Sequence, residues 1–74
     1  HAIRIAPNPT KNHLTVEAPG FSYIEILNYL GQTLLTTSII ESTTTLQVNT
    51  LANSIYFIRL TGDDAIVTRK FIKE

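Results

Sequence analysis

Cysteine and methionine are both absent from the 74 residues of this chain. Without cysteine there is no disulfide staple and no thiolate for a zinc site. A chain of this length hides only about 60% of the surface that its unfolded form exposes. Its stability must therefore come from aliphatic packing, which Ile, Leu and Val are plentiful enough to supply. The domain is compatible with either redox compartment. Net charge is missing too, with six acidic and six basic residues, so no field steers the chain toward nucleic acid or an anionic membrane. No apolar run approaches the roughly 20 residues of a membrane-spanning helix, and there is no transmembrane segment. Neither an initiator Met nor a signal-peptide pattern is present. A chain that opens on "HAIRIAPNP" reads as one domain, residues 1–74, excised from a longer protein.

Helical periodicity is the next absence, since no stretch sustains apolar residues at i, i+3 and i+4. Isoleucine and threonine dominate instead, and their branched Cβ atoms suit a pleated sheet. Period-two patterning marks the segments 1–6, 13–17, 23–28, 32–39, 43–49, 55–61 and 65–73. The segment at 32–39 is the least regular, with Leu34 and Leu35 adjacent. Pro7 and Pro9 end the first strand, Pro19-Gly20 makes a turn, Gly31 sits at a reversal, and Gly62-Asp63-Asp64 tips a hairpin. Such short strands at this spacing predict an all-β fold, a sandwich of two antiparallel sheets. "IYFIRL" is apolar on both faces, Tyr56, Ile58 and Leu60 opposing Ile55 and Phe57, and so belongs in mid-sheet. For the last strand the pattern does not choose between Ile66, Thr68, Lys70 and Ile72 or Val67, Arg69 and Phe71 as the inner face.

Catalysis finds little support. His1 is terminal and His13 lies on the polar side of a strand, so neither forms a nucleophile–base pair. Two histidines without paired spacing make a poor zinc site. Asp63 and Asp64 could attract calcium, but calcium needs at least about six oxygens, and a solvated hairpin tip explains them better. Tyr23, Tyr29 and Tyr56 could form a sugar-binding platform, although Tyr56 alternates with core aliphatics and belongs inside with its hydroxyl at the edge. No catalytic, metal or cofactor site is expected. The basic "TRKFIKE" reads as an edge strand guarded by Arg and Lys.

The order of landmarks carries more than any one of them. "PNPT", "LTVE", "IEILNYLGQTLL", "LQVNTLANSIYFIRL" and "VTRKFIK" succeed one another from Ile5 to Lys73. In that order and spacing they resemble the C-terminal sorting domain of the bacterial type IX (Por) secretion system, type A. The resemblance implies an immunoglobulin-like β-sandwich of about seven antiparallel strands, found in Bacteroidetes. It implies a non-enzymatic address at the end of a secreted enzyme or adhesin. The passenger precedes it in the chain, crosses the periplasm and is exported through the outer membrane. A surface sortase then usually removes the domain and attaches the passenger to the cell surface or releases it. Partners would be the type IX machinery, that sortase and the passenger. The alternative is an immunoglobulin-like accessory module, a carbohydrate-binding unit or spacer of a secreted hydrolase or adhesin.

Position by position, the resemblance rests on Pro7, Asn8 and Pro9, on Gly31, on Tyr56, and on Lys70, Phe71, Ile72 and Lys73. The Pro7–Pro9 stretch would mark where a linker from the passenger gives way to the ordered domain. The strand 67–73 would offer its edge to a partner strand, with Lys70 and Lys73 supplying charge. One departure concerns Ser54, where the family usually has Gly. If that site needs a positive φ, Ser54 carries a cost of about 1 kcal/mol, or the turn shifts so that Asn53 takes the left-handed form.

Overall fold

The computed structural model describes residues 2–74 and contains strands and turns without a helix. The strands are β1 (Arg4–Ala6), β2 (His13–Glu17), β3 (Phe21–Asn28), β4 (Thr33–Ser38), β5 (Thr43–Gln47), β6 (Ser54–Gly62) and β7 (Ile66–Lys73). Each falls within, or within two residues of, a period-two segment. Only His1, assigned to the first strand from sequence, lies outside the described residues. β1, β2 and β5 form one sheet and β4, β3, β6 and β7 the other, with every neighbouring pair antiparallel. This is an immunoglobulin-like sandwich with its fourth strand on the larger sheet.

Alternation places the core. Leu14, Val16 and Leu46 from the smaller sheet, with Val48 just beyond it, meet Ile24, Ile26, Tyr56, Ile58, Leu60 and Phe71 from the larger. β6 runs between β3 and β7, which explains its two apolar faces. Ile55 and Phe57 lie on the outer face, where Phe57 packs opposite Leu27. On β7 the ambiguity is resolved by register. Phe71 pairs with Tyr56 and Val67 with Leu60, so Val67, Arg69, Phe71 and Lys73 form the inner face. The adjacent leucines of β4 also find their cause. The register shifts between Ile26 and Leu27, where Leu35 and Thr33 are the partners and Leu34 is the extra residue of a bulge.

Turn chemistry follows the glycines. Gly20 and Gly31 take φ of 88° and 85°. The site at 53–54 needs no positive φ, because no described non-glycine residue has one. Ser54 is the first residue of β6, paired with Lys73, and neither it nor Asn53 needs a left-handed conformation. Gly62 serves a different need from a turn apex. Its N–H donates to the Ala65 carbonyl at 2.9 Å, closing the β6–β7 hairpin. A Cβ at this position would stand 2.7 Å from the Gly20 carbonyl oxygen. Backbone faces backbone there, so relief requires the two turns to part. Gly62→Ala is expected to cost about 1–3 kcal/mol, read as a lower urea midpoint at unchanged slope.

Candidate functional site

Pro7 and Pro9 have no N–H, so the segment between β1 and β2 can be tied down only through its other groups. The peptide bonds preceding both prolines are cis. Asn8, between them, supplies its side chain: Nδ2 donates to the Lys70 carbonyl at 3.3 Å, and Oδ1 accepts from the Ile72 N–H at 2.9 Å. Thr10 continues with its backbone, its N–H donating to the Ile72 carbonyl at 2.9 Å and its carbonyl accepting from the Glu74 N–H at 2.8 Å. The Thr10 hydroxyl donates to the His13 carbonyl, and the residue is buried. Residues 7–10 therefore form a strap along the outer edge of β7. Motifs from opposite ends of the chain make one unit.

The inner side of the same strand is equally tied. Phe71 is fully buried, its ring stacked on Tyr56 with centroids 5.6 Å apart and planes 24° from parallel. The Tyr56 hydroxyl donates to the Ala52 carbonyl at 2.6 Å. A tyrosine near the start of the sixth strand, bonded back to the backbone just upstream, is the tyrosine corner of immunoglobulin-like sandwiches. Two residues on, where antibody domains place half of the inter-sheet disulfide, stands fully buried Ile58. Tyr56→Phe keeps the ring and removes the bond, for an expected loss of about 1 kcal/mol in denaturant titration.

Lys73 is not displayed at the surface. It is 7% exposed, with Nζ placed 3.4 Å from Asn53 Oδ1 and 3.3 Å from the Glu74 carbonyl oxygen. Its stem packs inward while the ammonium finds oxygen at the rim. Lys70 and Ile72 project from the outer face, and Ile72 lies opposite exposed Ile55. Gly31 sits in the β3–β4 turn, its N–H donating to the Asn28 carbonyl at 3.0 Å. Since Asn28 pairs with Tyr56 and Ser54 with Lys73, this turn and the strap share one end of the sandwich. Gly31 forms no hydrogen bond to the strap among the described residues. Thr10, Ala52 and Asn53 belong to the unit although sequence patterning did not single them out.

Elsewhere the polar groups are dispersed. Arg59 donates from Nε to Glu25 Oε1 at 2.9 Å on the outer face of the larger sheet, and the Thr33 hydroxyl lies 3.3 Å from Oε2. The Arg59 hydrogen bond holds the Glu25 carboxyl below the usual range; desolvation opposes it, and the Arg59 charge and the Thr33 hydroxyl add smaller downward effects. A lowered folded-state value means the stabilisation is present above the ordinary glutamate pKa, about 4.3, and fades as pH falls through the folded value. The stability gap between the parent chain and Glu25→Gln is therefore expected to close on acidification, measured by urea titration at neutral and acid pH.

His13 is exposed on β2, and Asp63 and Asp64 stand beside Gly20 and Phe21 at the hairpin tip. Among the described residues no three His, Asp or Glu side chains gather as a metal would require. Tyr23 and Tyr29 lie at opposite ends of β3, about 20 Å apart along an extended strand, while Tyr56 is interior. The tyrosines thus form no common platform. The described residues contain no helix long and apolar enough to cross a membrane.

With this geometry in hand, the comparisons give two findings. The model of a family described as the secretion system C-terminal sorting domain matches residues 4–74. No curated protein matches the chain.

Proposed function

The chain belongs to the family of secretion system C-terminal sorting domains of the type IX pathway, and we propose that it acts as a passive address whose readable part is the strap and the strand it clasps. One observation carries this reading. Asn8 brackets Lys70 and Ile72 from 62 and 64 residues away, so the opening and terminal motifs of the family resemblance meet in one hydrogen-bonded unit. A passenger protein preceding the domain is carried across the outer membrane to the surface or the medium. Removal of the domain and attachment or release of the passenger follow, carried out by a surface sortase. Periplasmic transit comes before both. The domain itself contributes shape and charge, and no bond is made or broken by its side chains.

The strap revises what the Pro7–Pro9 stretch does. Beyond receiving a linker from the passenger, it fixes the last strand in place, so the domain presents an ordered terminus to its receptor. The test is a fusion of these residues behind a reporter enzyme in a bacterium that has this secretion pathway. Reporter activity is expected in the medium or on the cell surface. A reporter that remains in the periplasm with the fused domain folded would contradict the reading.

A further inference from the structure

The strap leaves part of β7 uncovered. In an antiparallel ladder, successive residues turn their peptide groups alternately toward and away from the partner strand. Gly62 and Ala65 bond to each other, and the β6–β7 register runs without a shift from Ile66 to Lys73. Residues 67, 69, 71 and 73 therefore turn their backbone to β6, and residues 66, 68, 70 and 72 turn theirs outward. Ile72 and the Lys70 carbonyl are taken by Asn8 and Thr10. What stays open among the described residues is the peptide groups of Ile66 and Thr68 and the Lys70 N–H. Only the guanidinium of Arg69 approaches the Thr68 carbonyl, at a long 3.5 Å.

Charge selects what can occupy this edge. Of the six basic residues, Arg59 is paired with Glu25 and Lys73 is turned onto Asn53 and Glu74. Arg4 faces Glu17 across the β1–β2 register. Lys11, Arg69 and Lys70 form no ion pair among the described residues; Lys11 directly follows the strap, and the other two lie on β7. Arg69 and Lys70 also line a groove of about 230 Å³ whose other walls are Ile3, Ile5 and Asn8. Cations thus flank an apolar floor beside open peptide groups. The opposite side of the sandwich has a groove of about 350 Å³ lined by Ser38, Ile40, Glu41, Thr43, Thr44 and Thr45, with no cation to select a partner.

Resting on the address reading above, we propose that Ile66–Lys70 receives an extended, acidic strand of the export machinery by strand addition. The incoming main chain bonds to Thr68 and Lys70, apolar side chains on its inner face settle over Ile3 and Ile5, and carboxylates on its outer face meet Lys70, with Arg69 reaching them around the exposed edge. The strap defines where pairing stops, because beyond Lys70 the edge is occupied. A second copy of this chain is a poor occupant, since it would bring two sets of Arg69 and Lys70 to one seam.

Two experiments test this. The isotope-labelled chain is titrated with a short synthetic peptide of alternating Val and Glu, and with its Val and Lys counterpart. Amide shifts are expected at Ile66, Thr68 and Lys70 with the acidic peptide alone, and are expected to vanish in Arg69→Glu/Lys70→Glu. Shifts along β4 or β5 instead, equal binding of the basic peptide, no shift at all, or self-association through β7 would overturn the proposal. In the fused reporter, Thr68→Pro removes one outward N–H at an edge position where proline leaves the β6 ladder intact. Its export is expected to fall about ten-fold, equivalent to about 1.4 kcal/mol of binding, with an unchanged melting temperature. Export of the parent fusion with equal export of a folded Thr68→Pro would sink the edge proposal alone. Failure of the parent fusion would sink the address reading itself.

Discussion

Phe71→Ala is expected to leave the domain largely unfolded at ambient temperature. The side chain is fully buried and stacked on Tyr56, and emptying such a site costs about 3–5 kcal/mol. At roughly 0.05–0.15 kcal/mol per residue, a domain of this length has in all roughly 4–11 kcal/mol. The loss is therefore a large share of the whole, with no disulfide to hold the remainder together. Circular dichroism against temperature should show a melting transition that is much lower or absent, while Phe71→Leu retains one. Removing residues 71–74 does at least as much, since it also deletes Ile72 and Glu74, which bond Asn8 and Thr10. Loss of export on trimming the terminus would then report unfolding as readily as lost recognition. Point variants of the strap separate the two.

Asn8→Ala/Thr10→Ala is the second large effect. It deletes the two Asn8 side-chain bonds to β7 and the Thr10 hydroxyl bond to His13. Each is worth about 0.5–1.5 kcal/mol, so about 1.5–4.5 kcal/mol is expected in sum. The damage should also be local. In amide exchange, the Ile72 and Glu74 N–H groups are expected to lose protection first, ahead of the β3 and β6 amides. Uniform loss across both sheets would mean that the strap is merely part of the common core. Retained protection at Ile72 would mean that the Thr10 backbone suffices.

Much of this architecture was legible in the residues, and the exceptions have physical causes. Alternation found the strands because each sheet has one dry face, as with Leu14 and Val16 on β2 or Ile24 and Ile26 on β3. The pattern failed on β7, where Arg69 occupies an inner-face position but reaches solvent at the edge, and Lys73 occupies another and is buried. An edge strand lets long cationic chains escape sideways, which erases the usual contrast between faces. The burial of Tyr56 was predictable from its aliphatic neighbours, but its bond to Ala52 needs the turn before β6 to be known.

The strap was the least legible element. Pro7 and Pro9 announce the end of a strand, yet nothing local reveals that Asn8 will meet residues 62 and 64 positions away. Thr10 looks like a turn residue and is 1% exposed only because β7 passes beside it. At Ser54 the family pattern left open whether a left-handed residue is needed, and the chain enters β6 with ordinary backbone angles. The family resemblance, carried by the order of motifs, gave no indication that Asn8 and the last strand touch.

Matched variants in the reporter fusion test the role of the clasped strand most directly. Asn8→Ala loosens the strap, and Ile24→Val, deep under β3 and fully buried, weakens the core by a similar amount of about 1 kcal/mol. With both folded at the growth temperature, export is expected to drop for Asn8→Ala and to persist for Ile24→Val. Equal export of the two, or losses that track stability alone, would contradict a readable corner formed by the strap and β7.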